Sequence, residues 1–193
     1  MRGIIFRTFT NFIETKFGYE KVDNLLLSDT YPNKGGFSTA GNYDVKYLHS
    51  LIKNSAYLFK NSQEQVQEAF GKFAFGFLLD RFKASYQDNA SHLHSNNAYD
   101  FLENLNIIHF EELNKLYPDA KFPRFELNRL EKEHIIIEYC SAVNIPHFVF
   151  GLLQGCLKYY QDDSEVIMSK ECGYKIVDEN KSPVHRFEVK KNG

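Results

Sequence analysis

Apolar residues in the first half of the chain recur at steps of three and four, the spacing of one buried face on an α-helix. Ile5, Phe9, Phe12 and Ile13 mark such a face at the start, and Gly18 is placed to end it. The run Pro32–Asn42 holds three glycines and a proline and reads as loop. Tyr43–Lys60 and Gln63–Tyr86 both read as amphipathic helices. The second starts after Ser62, a suitable N-cap, and carries Phe70, Phe73, Phe77 and Leu78 along one side. Gln87–Asn97 is polar loop. Ala98–Leu116 resumes the helical pattern, and Pro118 ends it.

After Pro123 the pattern changes. Phe125–Leu127 and Ile135–Ser141 are rich in strand formers and are separated by the charged stretch Arg129–Glu133, which predicts an antiparallel hairpin. Pro146–Tyr160 returns to helix, with Phe148, Leu152, Leu153 and Cys156 on one stripe. Glu165–Lys170 and Val184–Lys190 are two further strand candidates. Helices first, then a hairpin, a helix and two strands make an α+β fold, with a helical N-terminal lobe packed against a C-terminal antiparallel sheet and helix. No repeat, low-complexity tract or Pro/Ser-rich linker divides the chain, so residues 1–193 read as a single domain.

Composition narrows the classes. Aromatics are 16% of the chain, 18 Phe and 12 Tyr with no Trp, enough to fill a core or to wall an apolar ligand cavity. A net charge of -2 gives no basic surface to capture nucleic acid, and Lys190 and Lys191 read as a solvated tail. Arg2, Arg7 and Glu14 interrupt the first apolar stretch, so no signal peptide or membrane span is predicted there. Cys140, Cys156 and Cys172 lie far apart without a CxxC pair, which fits a reducing cytoplasm. No Gly-rich phosphate loop, nucleophile elbow or HExxH motif is present, so no catalytic set is predicted. As an enzyme the chain would need a redox cofactor as its active centre.

One residue breaks the apolar pattern. Leu102, Leu105, His109, Leu113 and Leu116 share a helix face, which puts His109 on the buried side. A buried imidazole needs partners for its nitrogens. It is either a core histidine bonded to a carbonyl or an axial metal ligand. His92 and His94 form only an HxH in polar loop, and His49, His134, His147 and His185 are scattered and read as surface residues. Tyr139 and Ser141 stand two apart on a predicted strand, so both face one way, suited to a carboxylate or to a half-exposed sheet face. Cys140 faces the other way, as packing.

Taken in order, MRGIIF, FSTAGNYD, LHSLI, AFGKFAF, FLENLNIIH, YPDAKFPRFEL and GLLQG resemble the haem nitric oxide/oxygen binding (H-NOX) domain family over nearly the whole chain. The resemblance implies haem b (iron protoporphyrin IX) held between the two lobes, with His109 as the iron ligand. It implies that Pro123 presses on the macrocycle and that Ile5 and Leu152 line the pocket. Tyr139 and Ser141 match the first two members of the family's Tyr-x-Ser-x-Arg motif, which grips the propionates, but Val143 stands at the arginine position. Valine cannot supply a guanidinium's two-pronged clamp. Arg124 and Arg129 are the candidates to replace it. Where oxygen-binding relatives carry a donor tyrosine, this chain has Phe148, and the supporting positions read as Phe9 and Ala74. None of these can donate a hydrogen bond, which favours nitric oxide, with carbon monoxide as an in vitro ligand. The resemblance further implies a separate signalling partner, such as a histidine kinase or a cyclic dinucleotide enzyme. A haem-free interaction module, or one for another tetrapyrrole, is the alternative of the same fold, and a peroxidase-like or nitric oxide-scavenging haem protein the enzymatic one.

Overall fold

A computed structural model describes residues 1–86, 94–116, 122–169, 172–177 and 180–191. Helix α1 (Gly3–Phe17) buries Phe6, Phe9, Phe12 and Ile13 and stops where the sequence predicts. Gly18 takes φ 88°, a conformation open to glycine, and its N–H donates to the Glu14 carbonyl. The chain turns at once into α2 (Tyr19–Leu27), which the pattern does not reveal because only Val22 and Leu25 are buried. A 3-10 turn, Pro32–Gly35, lies within the predicted loop. Helix α3 (Val45–Phe59) is capped by Asp44, whose carboxylate accepts from the Lys46 N–H at 2.9 Å. Helix α4 (Gln63–Tyr86) has the predicted bounds. Ser62 caps it reciprocally: its hydroxyl accepts from the Gln65 N–H at 3.2 Å, and its own N–H donates to the Gln65 side-chain oxygen at 2.9 Å.

The predicted helix 98–116 is interrupted. It comprises α5 (Ala98–Glu103), α6 (Leu105–Ile107), a π-helical turn (Ile108–Leu113) and α7 (Asn114–Leu116). Asn104 marks the first break. Its side-chain amide donates to the Asp100 carbonyl at 2.7 Å, competing with the backbone ladder. Pro118, Lys170 and His92, with most of the predicted loop 87–97, lie outside the described residues.

The sheet is antiparallel, formed by β1 (Arg124–Glu131), β2 (His134–Cys140), β3 (Glu165–Met168), β4 (Tyr174–Val177) and β5 (Asn180–Lys190). The strand order is β1-β2-β5-β3, and β4 pairs with the first residues of β5. The hairpin turn shrinks to residues 132–133, because the charged end of β1 lies on an edge strand where polar side chains meet water. β4 is absent from the sequence reading because its apolar side chains, Tyr174 and Ile176, face outward. Lys190 and Lys191 are no loose tail. Lys190 closes β5, and Lys191 pairs with Glu133 at 3.4 Å and Asp163 at 3.5 Å.

Helix α8 (Pro146–Tyr159) joins the two halves. Its packing on α4 is close enough to need glycine on both sides. A Cβ on Gly71 would stand 2.2 Å from the Phe148 carbonyl oxygen, and one on Gly151 would stand 2.2 Å from that of Glu68. One core, around Phe9, Leu48, Ile52 and Phe70, fills the helical lobe; a second, around Leu102, Ile135, Ile137 and Phe187, lies against the sheet. Leu78 and Leu152 touch both cores yet stay only partly buried, so they line a seam between the lobes.

Gly151→Ala is expected to cost about 1–3 kcal/mol by overpacking, and so to lower Tm by roughly 2–12 °C in a thermal melt. Gly76→Ala, where a Cβ would meet only Tyr159 at 3.6 Å, should not lower it.

Candidate functional site

His109 sits in the π-helical turn, a helix form that recurs at functional positions. Its Nδ1 lies 2.7 Å from the Leu105 carbonyl oxygen. A carbonyl can only accept, so the proton is on Nδ1 and the Nε2 lone pair is left for another partner. Burial lowers the imidazole pKa, with the Leu105 bond opposing, so the ring is held neutral. The ring packs against Phe122 at 5.8 Å and Phe125 at 5.3 Å between centroids. Its ring is desolvated by its surroundings, although the residue keeps part of its surface accessible.

The helix is fastened to the sheet on the N-terminal side of His109. The Asn106 amide donates to the Phe125 carbonyl at 2.7 Å, and its oxygen accepts from the Phe125 N–H at 3.3 Å, imitating a neighbouring strand on the β1 edge. Tyr99 donates to the Glu133 carbonyl at 2.8 Å, and Arg129 pairs with Glu103 at 2.8 Å. The sequence reading misses Asn106. Its signal is a polar residue three before the histidine, on a face that would otherwise be apolar.

Among the described residues no three His, Cys, Asp or Glu side chains gather to hold a metal ion. His109 would therefore be a lone protein ligand. Such a ligand suits iron whose other positions are filled by a macrocycle, and the neutral imidazole with a directed Nε2 fits that group.

The remaining predicted residues fall into three places. Ala74 and Phe148 are buried in the helical-lobe core, Ile5 packs against it, and Leu152 lies on the seam. Phe148 stacks on Phe70 at 4.7 Å, and Phe70 meets the edge of Phe9 at 4.9 Å, a continuous aromatic wall. Pro123, partly buried, stands between the two phenylalanines that flank His109.

Tyr139 and Ser141 differ from expectation. Tyr139 is buried on β2, and burial pushes its pKa up to about 12, with the Ser141 hydroxyl opposing. β2 ends at Cys140, so Ser141 is not on the strand. Its hydroxyl accepts from the Val143 N–H at 3.1 Å, turning the chain out of the sheet, while Tyr139 donates to the Val143 carbonyl at 2.9 Å. Both hydroxyls thus engage the backbone of residue 143. Arg129 is no substitute for the missing arginine. Besides Glu103 it bonds the Glu131 and Lys132 carbonyls. His185 is also not a surface residue: it is buried, with Nε2 2.9 Å from the Asn144 side-chain oxygen. Cys140 packs with buried Val184, as expected.

Two open clefts lie elsewhere. One, of about 360 Å³, runs between Phe17, Phe59 and Lys72; the other, of about 560 Å³, lies against β1 beside Asn106 and Arg129. Neither is lined by His109.

The haem-NO-binding family profile matches residues 2–168. In structure the chain is similar to the unliganded Fe(II) H-NOX protein from K. algicida, at 23% identity and TM-score 0.78, covering 100% of this chain and 98% of that one. It is similar to an H-NOX protein from S. oneidensis in the Fe(II)NO state, at 22% identity and TM-score 0.78, covering 99% and 100%. The IWP-051-bound H-NOX from Shewanella woodyi in the Fe(II)CO state matches at 26% identity and TM-score 0.74, covering 100% and 95%. No curated protein matches by sequence.

Asn106→Ala removes both bonds to Phe125 and strands a backbone N–H against the helix. A loss of about 1–3 kcal/mol in urea unfolding is expected. An unchanged midpoint would mean that Asn106 does not fasten the helix.

Proposed function

We propose, from the premise that this chain belongs to the haem-NO-binding (H-NOX) family, that it is a sensor of nitric oxide working through five-coordinate, histidine-ligated haem b. The supporting observation is the neutral His109 ring, bonded at Nδ1 to Leu105 and walled by Phe122 and Phe125. When bound, haem iron would supply a coordination site for a diatomic gas, with its protein ligand releasable. His109 Nε2 is that ligand. Pro123 bears on the macrocycle, and Ile5, Ala74, Phe148 and Leu152 line the pocket on the gas side. Phe148, Phe9 and Ala74 offer no hydrogen-bond donor, which disfavours oxygen and leaves nitric oxide, with carbon monoxide in vitro. Ser141, and Tyr139 if it exchanges the Val143 carbonyl for a new acceptor, meet the propionates.

Release of His109 would act on a helix stitched to β1 through Asn106, so the signal has a route to the sheet surface. The receiver is a separate protein, a histidine kinase or a cyclic dinucleotide enzyme, and the setting is cytoplasmic. Free thiols at Cys140, Cys156 and Cys172 are compatible with that compartment. Among the described residues no helix is long and apolar enough to cross a membrane.

A second reading has its own observation. Tyr139 and Ser141 already satisfy the Val143 backbone, which suits a haem-free module, or one for another tetrapyrrole, of the same fold.

Protein supplied with haem is expected to show a Soret band that shifts with nitric oxide and not with air. His109→Ala should lose the band and regain it with added imidazole. A colourless wild-type protein would favour the haem-free reading, and a stable complex in air would remove the nitric oxide preference. Val143→Arg is expected to slow haem transfer to a scavenging apoglobin roughly ten- to hundredfold, equivalent to ~1.5–3 kcal/mol for a charge-assisted bond. An unchanged rate would mean that residue 143 does not face the propionates.

A further inference from the structure

The helix that carries His109 is built with one residue too many for an α-helix. Ile108–Leu113 is π-helical, and π turns are rare outside positions where something holds them. Two features hold this one. The first is the imidazole, fixed at Nδ1 to the Leu105 carbonyl one turn earlier and wedged between Phe122 and Phe125. The second is the anchored N-terminal side. Asn97 caps α5, Tyr99 and Glu103 are tied to the β1–β2 hairpin, and Asn106 pairs with Phe125. Any change in helix register must therefore appear after His109 and not before it. On that side Leu113 is buried, whereas Phe110 is 46% exposed.

We propose that this π turn is the bistable element of the sensor: it holds the π register while His109 is fixed and reverts to α when His109 is released. The inference rests on the sensor reading above, with Nε2 as the second point that fixes the ring. Reversion absorbs the surplus residue. Residues after His109 then rotate by about 100° and shift by about 1.5 Å along the axis, the increment of one residue in an α-helix. Loss of a ligand is converted into a turn of a short helix whose other end cannot follow. The rotation carries Phe110 and Leu113 to new faces, which gives a partner two different surfaces to distinguish.

The test measures a distance. Spin labels at Asn114→Cys and Lys132→Cys, on a Cys172→Ser background, span the turn and the fixed hairpin. In haem-loaded protein the inter-label distance is expected to change by several ångströms when nitric oxide is added. Deleting Glu111, an exposed residue of the turn, removes the surplus. That variant should show the changed distance without gas and no further change with it. His109→Ala loaded with haem and imidazole, in which the iron is held but the helix is not, should show the changed distance without gas and serves if the deletion fails to fold. A Soret band that responds to nitric oxide while the distance stays fixed overturns this proposal and leaves the sensor reading intact. Absence of any Soret band overturns both.

Discussion

The bond from His109 Nδ1 to the Leu105 carbonyl sets what the rest of the site can do. It chooses the tautomer and aims the second nitrogen, while burial, against the pull of this bond, keeps the ring neutral where an imidazolium would be costly. A buried histidine without that bond would be a packing fault. With it, the ring has one nitrogen satisfied and a lone pair left on the other. Phe122 and Phe125 complete the arrangement by limiting how the ring can turn, and Pro123 lies between them in the chain.

The close approach of α4 and α8 serves the opposite wall. Because Gly71 and Gly151 let the two backbones nearly touch, Ala74 and Phe148 are brought into one core with Phe9 and Phe70. An apolar wall made this way has little freedom to admit water or a polar side chain. Leu78 and Leu152 remain partly exposed on the seam, although they contact both cores.

Regular, strongly periodic elements were legible in the amino-acid order. Helix α4 has its predicted limits because Ser62 and Gln65 cap it locally and its Phe stripe is long. The hairpin was legible from its strand formers. What escaped depends on contacts distant in sequence. Strand β4 exists only by pairing with β5, α2 buries just two side chains, and the π turn depends on a side-chain bond that no residue pattern encodes. At the site, His109 was visible as a polar break in an apolar stripe. Asn106 was not, because its role needs the edge of β1 beside it. Ser141 was placed on a strand because strand ends are set by turn chemistry, here its own hydroxyl on the Val143 N–H.

The valine at position 143 acts on a different property from the one that Phe148 controls. Phe148, Phe9 and Ala74 belong to the helical-lobe core, and Val143, in the turn that follows β2, packs against that same core. On the sensor reading proposed above, a missing charge at residue 143 would bear on the grip on a propionate, whereas the absence of a donor at Phe148, Phe9 and Ala74 would bear on which gas is held. The two need not vary together. Backbone capture of the Tyr139 and Ser141 hydroxyls by residue 143 supports this separation, since it keeps two polar groups satisfied beside an apolar core when no carboxylate is present. With both hydroxyls bonded to the backbone of residue 143, the turn closes on its own groups.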